Sequence, residues 1–490
     1  MPRLTTIRRA IPLLLCTLLV TAPATAEVSQ KALLERIERL TARLDQLEKH
    51  NSELEQRLGA TQDLPGRIGA IEEHNARLAR SLESEPEMTT RLKAVEMQVE
   101  KAGKASGVIE ALEGVSANMS LTTIAQRPSG GQNSQLSYRG DISVSLPLGD
   151  VGNVSNKFFA HFRLGQSEGL NVLPTYAAPN AAAFRALATQ PDDSVPGLAQ
   201  AWVQTDIPLF SDSSVQQAPQ KLALNFGKID PFIFFDQNAA ANDEARQFLN
   251  AAFVHNPLLD AGGDIGVDAN GFTPGMRLAY INEQSKQEPW QVSLGVFGAG
   301  QGAHYTRSFS SPLVIVQAET QQRFFTGQTG NYRLYYWRNG QADDYAGGVE
   351  RHTGWGFSAD QSVADAVTLF GRYGHQSSGQ VRFDRALTLG AEIGGSYWNR
   401  SGDVIGVAAG RLRTSNDFAR DAASVDADGD GLPDYGFAAG GAERIAELYY
   451  RYRINKQIEL TPDYQIIATP GGNTTAPTLR VAGLRLQLSY

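Results

Sequence analysis

The chain has 490 residues and a formal net charge of −8 at pH 7, with 42% hydrophobic and 20% charged residues. This acidic balance argues against nucleic-acid binding. With a mean hydropathy of −0.28 and only one long apolar run, at the extreme N-terminus, the composition also excludes a protein built from membrane-spanning helices.

The first 26 residues have the pattern of a secretory signal peptide. Three arginines precede an apolar run at residues 10–20, and small residues end the segment at Ala26. This pattern predicts cleavage after Ala26, with an uncleaved anchor helix as the alternative. Cys16, the only cysteine, lies inside the segment. The mature chain would therefore have no disulfide or metal thiolate, and its net charge would be near −11.

Residues 27–104 have the periodicity of a coiled coil. Asn51 occupies one polar core position in a seam whose apolar residues recur at steps of four and three, namely Leu33, Ile37, Leu40, Leu44, Leu47, Leu54 and Leu58. A buried Asn in such a seam fixes register and strand number. Glycines at residues 103–107 then mark a domain boundary. We therefore expect a periplasmic coiled coil that makes the protein a homotrimer, with a solvated single helix as the alternative.

From about residue 113 to residue 490 the hydrophobic period changes to two. About sixteen alternating segments are joined by very short connections that alternate with long ones, such as 166–197, 231–271 and 414–441. This pattern is typical of an outer-membrane barrel. The last strand agrees, because its outward face is apolar and ends in an aromatic residue: Leu484, Leu486, Leu488 and Tyr490. The predicted fold is an all-β transmembrane barrel of about 16 antiparallel strands, preceded by the α-helical coiled coil. A soluble β-helix or sandwich is the alternative.

The stretch "KIDPFIFFDQNAAANDEARQFLNAAF", residues 228–253, interrupts the alternation in the third external loop. Asn242 is predicted to cap a helix whose apolar face carries Phe248, Leu249, Ala252 and Phe253. Because that face must be buried somewhere, we expect the loop around 231–271 to fold inward and narrow the pore. A helix on the outer rim is the alternative. The predicted constriction residues are Asp236, Asn238, Asn242, Asp243, Glu244 and Arg246.

Five separated segments resemble the carbohydrate-selective porins of the OprB family, including members in which a coiled coil precedes the barrel. They occur in the family's order as "GKIDPFIFFDQNAAANDEARQFLNAAF", "GWGFSADQSVADAVTLFGRYG", "SGDVIGVAAG", "ELYYRYRINKQIELTPDYQIIATPGG" and "VAGLRLQLSY". The resemblance covers about residues 113–490. It implies a sixteen-stranded channel that admits small sugars across the bacterial outer membrane.

Side chains that alternate with the lipid-facing set are predicted to line the lumen. Arginines and carboxylates are both frequent there, and such a mixed lining suits neutral polyols better than a ring of one charge would. For each residue alone, an ion pair between neighbouring strands is the alternative. The predicted lining comprises Arg139, Asp141, Arg163, Arg277, Arg333, Tyr335, Trp337, Arg372, Glu392, Glu447, Arg451, Asp463 and Arg485.

The segment "DADGDGLPD" in the seventh external loop resembles calcium-binding loops. Carboxylates at alternate positions and a glycine at the turn can surround a hard cation, here with Asp426, Asp428, Asp430 and Asp434. A solvated acidic loop is the alternative. No other cofactor is expected.

The sequence contains no HExxH motif and no P-loop, two patterns that would indicate an enzyme. We therefore predict a channel and not an enzyme, in which small sugars diffuse passively through a polar lumen. The alternative is a general or ion-selective porin whose coiled coil mainly tethers the outer membrane to the peptidoglycan. Small sugars and outer-membrane lipid are the expected partners.

Overall fold

The structure is a computed structural model that describes residues 115–490 apart from 168, 171–172, 185–195, 211–214, 216, 260–271, 300–308 and 325–326, together with Lys49. The predicted signal peptide, coiled coil and domain boundary lie outside the described residues. Sixteen antiparallel strands form one closed barrel, in which each strand pairs with its sequence neighbours and the first pairs with the last. The predicted barrel is confirmed.

The strands alternate in direction around the ring, so successive connections lie at opposite ends. Their bounds are β1 (Ser116–Pro128), β2 (Gln135–Val151), β3 (Val154–Gln166), β4 (Gly197–Pro208), β5 (Gln220–Ile229), β6 (Thr273–Asn282), β7 (Trp290–Phe297), β8 (Leu313–Phe324), β9 (Gln328–Asp343), β10 (Val349–Ala364), β11 (Val367–Ser378), β12 (Phe383–Gly394), β13 (Val404–Thr414), β14 (Ala442–Arg453), β15 (Ile458–Ala468) and β16 (Leu479–Ser489).

The period of two places apolar side chains outward and polar or aromatic ones inward. On β9, Leu334 and Tyr336 are 56% and 48% exposed, whereas Tyr335 between them is buried. The ring closes where β1 pairs with β16, with Leu121 opposite Leu488. The outward apolar face is thus continuous across the closure.

Short turns lie at one end of the barrel, here named the turn end, and long loops at the other, the loop end. The turn between β10 and β11 leaves only residues 365–366 outside the strands, whereas the loop between β13 and β14 spans residues 415–441. In the part of the barrel that the structure describes, two short α-helices lie in loops, α1 (Ala251–Val254) and α2 (Asn416–Asp421), with single 3₁₀ turns at Pro231–Ile233, Gly395–Trp398 and Pro470–Gly472. Among the described residues, no helix has the length and apolar character needed to cross a membrane.

The hydrophobic core lies inside the barrel. It joins buried side chains of the loop after β5, such as Phe235 and Phe253, to inward-facing side chains of the wall, such as Phe297 of β7 and Tyr449 of β14. A barrel of this size can hold a water-filled channel. Here part of that interior is filled by packed protein, which positions the site described next.

Candidate functional site in the barrel lumen

The loop after β5 lies inside the barrel, as predicted. Its Phe248 is fully buried, and the ring centroid lies 5.5 Å from that of Phe370 on β11 and 5.0 Å from that of Tyr449 on β14. These strands lie across the ring from β5. Burial of a Phe side chain stabilises the fold by roughly 1.5–3 kcal/mol. Apolar packing therefore holds the loop against the far wall, and the alternative of a helix on the outer rim is wrong.

The helix predicted to begin at Asn242 is wrong, because the chain makes only one helical turn there. The Gln247 amide donates to the Asp243 carbonyl at 2.6 Å, which closes that turn. The Gln247 side chain then accepts from the Asn242 amide at 2.8 Å. Asn242 therefore belongs to a compact turn and caps no helix.

The wall stops this turn from continuing. The amides of Leu249 and Asn250 donate to the Glu447 carboxylate on β14, at 2.6 and 3.0 Å, so they do not bond to the carbonyls four residues earlier. The helix that does form is α1, where the Asn250 side chain accepts from the Ala252 amide at 3.1 Å. A capping Asn was expected, but it lies eight residues later than predicted.

Asp236 joins the loop to the wall through a buried ion pair with Arg372 of β11. The Asp236 carboxylate lies 3.1 Å from the Arg372 Nε, and both side chains are almost completely buried. Tyr335 of β9 donates its hydroxyl to Asp236 at 2.9 Å, and the Asn256 amide donates at 2.5 Å. Arg372 also donates to three loop carbonyls, at 2.6–3.1 Å. This cluster satisfies buried polar groups from both partners and fixes the position of the loop.

Several side chains predicted to line the pore contact this loop, which is a correction to their assignment. The loop covers this part of the wall. Some of these side chains bind the backbone or side chains of the loop, and the others lie buried next to them. The set comprises Tyr335, Trp337, Arg372, Glu392, Glu447, Arg451, Asp463 and Arg485. Two predicted constriction residues also face the wall. They are Asp236, described above, and Asn238, which donates to the Ala359 carbonyl of β10 at 3.0 Å.

Two further predicted residues belong to the wall itself. Arg333 forms ion pairs with Asp360 of β10 at 3.0 Å and with Glu319 of β8 at 3.1 Å. Arg277 of β6 is buried and donates to Asn225 of β5 at 3.2 Å and to Ser293 of β7 at 3.1 Å, and its guanidinium also lies over the ring of the loop residue Phe234. Arg333 therefore forms ion pairs between neighbouring strands, which was the alternative to a role in lining the pore.

A second loop, which was not predicted to fold inward, also enters the barrel. The amides of Tyr176 and Ala177, in the loop after β3, donate to the Glu443 carboxylate on β14 at 2.8 and 3.2 Å. This loop also pairs with the first one, because the Ala181 amide donates to the Leu249 carbonyl at 2.7 Å. The apolar run "YAAPNAAAF" inside a long external loop was the signal, since an apolar loop must be buried.

Open space lies beside the two loops, along β1, β2, β3 and β16. A cavity of about 710 Å³ reaches the turn end, where Lys456 and Gln457 of the turn after β14 line it. A cavity of about 170 Å³ lies nearer the loop end and is lined by residues that include Asn242, Glu244 and His255. Arg163 of β3 lines both cavities.

An ion-pair network lies at the boundary between the two cavities. Arg139 of β2 contacts the loop carboxylate Glu244 at 2.7 Å and its own neighbour Asp141 at 2.8 Å. Asp141 also pairs with Arg163 at 2.7 Å and with His161 at 2.8 Å. The network therefore joins the wall to the inward loop where the two cavities meet.

Charges of both signs face this space. Burial raises the pKa of Glu244. The Arg139 and Arg163 guanidiniums lower it by more than burial raises it, so the pKa lies below its usual value. Burial and the neighbouring Glu244 raise the pKa of Asp243. Arg246 pairs with Glu459 of β15 at 2.6 Å. Asp243 and Arg246 both line the larger cavity, so the lining offers hydrogen-bond donors and acceptors together.

The predicted calcium loop lies outside this lumen, on the exposed loop after α2. One carboxylate oxygen from each of Asp426, Asp428 and Asp430 lies within 4.8 Å of the others. Asp434 is directed elsewhere, since it accepts from the Ala427 amide at 2.6 Å. Calcium binding stays a prediction.

A model of the family described as "Carbohydrate-selective porin, OprB family" matches residues 137–490. The chain belongs to this family. As an OprB porin it is a channel of the outer membrane, and it provides passive, carbohydrate-selective diffusion.

A solved structure agrees with this fold. The high-pH structure of Pseudomonas putida OprB is similar at 18% identity and a TM-score of 0.60, over 79% of this chain and 97% of that chain. Its low-pH structure matches at 14% identity and a TM-score of 0.43, over 79% and 97%. A mutant of the Rh. blastica porin matches at 10% identity and a TM-score of 0.42, over 77% and 100%. Among curated protein sequences, none matches.

Proposed function

We propose that small sugars pass between the wall residues Arg139, Asp141 and Arg163 and the loop residues Glu244 and Arg246, and that this narrow part sets the selectivity. The observation that carries the proposal is the Arg139–Glu244 ion pair, which connects loop and wall where the two cavities meet. A hydrated sugar needs donors and acceptors at such a point, because it gives up hydrogen bonds to water as it enters.

Arg163 provides the sharpest test because it lines both cavities. Replacing it by Met keeps the length of the side chain but removes the guanidinium donors. We expect Arg163→Met to slow glucose entry in liposome swelling by about tenfold, the loss of one charge-assisted hydrogen bond. Potassium conductance in planar bilayers should change less.

A matched control is Arg323→Met, because Arg323 is exposed at the turn end of β8, outside the two cavities described. It should leave swelling rates unchanged. If Arg163→Met and the control admit glucose at the same rate as the parent, selectivity is set elsewhere in the lumen.

Three further features of the sequence support proposals about assembly and regulation. The Leu/Ile seam with Asn51 supports a homotrimer with a periplasmic coiled coil that contacts peptidoglycan. The acidic loop at residues 426–434 supports calcium binding in the external medium. Calcium should then slow protease cleavage within residues 415–441, and equal cleavage with calcium or chelator would contradict it. The lack of an HExxH motif and of a P-loop supports a channel without enzymatic activity.

A further inference from the structure

Arginines are concentrated on part of the outward face of the barrel, at its loop end. They lie one to three residues from the strand ends that enter the loops, and all but the half-buried Arg413 are exposed. We name this set the arginine arc; it comprises Arg385 of β12, Arg411 and Arg413 of β13, Arg444 of β14, Arg480 of β16 and Arg127 of β1. Buried, inward-facing residues alternate with them, such as Leu412 and Val481.

Cross-strand register brings like charges of the arc together. Arg411 lies directly opposite Arg444, and Arg385 lies directly opposite Arg413. Like charges at directly opposed positions destabilise a sheet, because their Cβ atoms are about 4.5–5.5 Å apart. Such pairs call for a counter-charge, supplied either by the barrel itself or from outside it.

The barrel supplies little counter-charge of its own. Six acidic residues lie on β1 and β12–β16, of which five face inward: Glu392, Glu443, Glu447, Glu459 and Asp463. The sixth, Asp384, pairs with Arg413 at 3.1 Å. Within the described part of the chain, Arg411 and Arg444 form no ion pair.

Apolar side chains lie directly below the arc, toward the turn end, on the same outward face. Leu389, Val407, Leu448 and Leu484 are between 45% and 54% exposed. The arc therefore lies where the apolar, lipid-facing surface gives way to the loop end. A ligand that fits both parts has acyl chains attached to an anionic headgroup.

The opposite side of the ring differs at the same level. The outward residues near the loop ends of β2–β6 are largely apolar, and they include Leu136, Phe162, Leu198, Phe226 and Met276, each at least 40% exposed. Arg351 of β10 is also exposed near the loop end, so positive charge extends beyond the arc on that side of the ring, whereas it is sparse on β2–β6.

We propose that the arginine arc binds the phosphate groups of an anionic lipid in the leaflet that surrounds the loop end. A guanidinium can donate two parallel hydrogen bonds to phosphate, so one phosphate between Arg411 and Arg444 replaces repulsion by attraction. A two-fold contact between the arcs of two barrels is excluded, because both surfaces would carry the same positive charge.

The test uses the purified full-length protein in detergent and native mass spectrometry with diphosphorylated lipid A. The variant Arg411→Gln/Arg444→Gln should bind this lipid about 25-fold more weakly, or about fivefold for each arginine removed. Arg411→Lys/Arg444→Lys should bind with intermediate strength, because it keeps the charge and loses the planar fork. If the double variant fails to form a heat-modifiable barrel, the single variants serve, each with a loss of about fivefold.

The matched control is Arg323→Gln/Lys286→Gln, which removes two exposed positive charges near the turn end and should bind the lipid like the parent. Lipid A without phosphates should bind the parent as weakly as it binds the arc variant, and millimolar inorganic phosphate should not displace the phosphorylated lipid. Four results would each overturn the proposal. The parent and the arc variant could bind the lipid equally, or the parent could bind the two lipids equally. Free phosphate could displace the lipid, or the parent could form a lipid-independent dimer that the arc variant loses.

Discussion

Asp236 shows what one buried side chain does for the lumen. It lies between the loop and the wall, and its partner Arg372 donates to loop carbonyls as well. Removing one partner of a buried ion pair is more damaging than replacing both, because it leaves the other charge buried and uncompensated.

We predict that Asp236→Asn lowers the free energy of unfolding by about 3–5 kcal/mol and raises single-channel conductance, since the loop loses its anchor. Urea unfolding in detergent and planar-bilayer recording measure the two effects. Asp236→Asn/Arg372→Met should recover part of the stability. The control Asp417→Asn breaks an exposed ion pair with Arg420 and should change little. If Asp236→Asn behaves like that control, the anchor lies elsewhere.

His255 gives the protein a dependence on pH. Its ring stacks on Phe232 with centroids 3.9 Å apart. Burial, together with the nearby Arg372 charge, lowers the pKa of His255 to about 3, whereas an unfolded histidine has a pKa of about 6.5. Between these two values only the unfolded state binds the proton. Stability therefore falls as the pH falls through this window, by about 1.4 kcal/mol per pH unit.

The variant His255→Phe should keep the stacked ring and lose this part of the pH dependence. Urea midpoints measured from about pH 7 to about pH 4 should therefore fall more steeply for the parent than for the variant. Identical slopes would show that His255 does not titrate between the folded and unfolded states.

At the scale of the element, closure of the barrel and filling of its interior depend on different parts of the chain. The strands hold the ring closed, and the loop after β5 fills part of its interior. The loop can therefore be shortened without removing any strand pairing.

Deleting residues 242–250 removes Glu244, Arg246 and the amides that bind Glu447. We predict a higher single-channel conductance and weaker discrimination between glucose and sucrose in liposome swelling, because the narrow part loses one of its sides. Deleting residues 426–434, an exposed segment of equal length, should leave both properties unchanged. If the first deletion variant inserts and conducts like the parent, the loop does not limit passage.

The sequence predicted which strand residues point inward, because a period of two is a local property. Arg163 and Arg372 both point inward as expected. Both were predicted to line the pore, and this holds for Arg163, which borders a cavity. The sequence did not predict that Arg372 is covered, since Arg372 contacts a loop residue 136 positions earlier. The helix was misplaced for a similar reason. Its local capping signal at Asn242 was overridden by Glu447, which lies 198 positions after Leu249.

At the scale of the whole molecule, the predicted coiled coil determines how many chains assemble, and it lies outside the described residues. A fragment of residues 27–104 should form a trimer, because its seam repeats over several heptads and carries one polar core position. Sedimentation equilibrium at high micromolar concentration measures its mass. Asn51→Ile should keep or raise the stability of the assembly but broaden the range of its oligomeric states. A parent fragment that stays monomeric would contradict the coiled coil.

The two inward loops also bear on how the chain assembles. Thr122 of β1 and Gln487 of β16, which bond across the closure, lie 365 positions apart in the chain, and contacts between such distant residues form slowly. The bonds from Ala181 to Leu249 and from Leu249 to Glu447 connect points along this interval. Once they form, they shorten the effective length of chain that must close. The two loops that fill the finished lumen would therefore also favour barrel closure during folding, because they reduce the entropic cost of pairing β1 with β16.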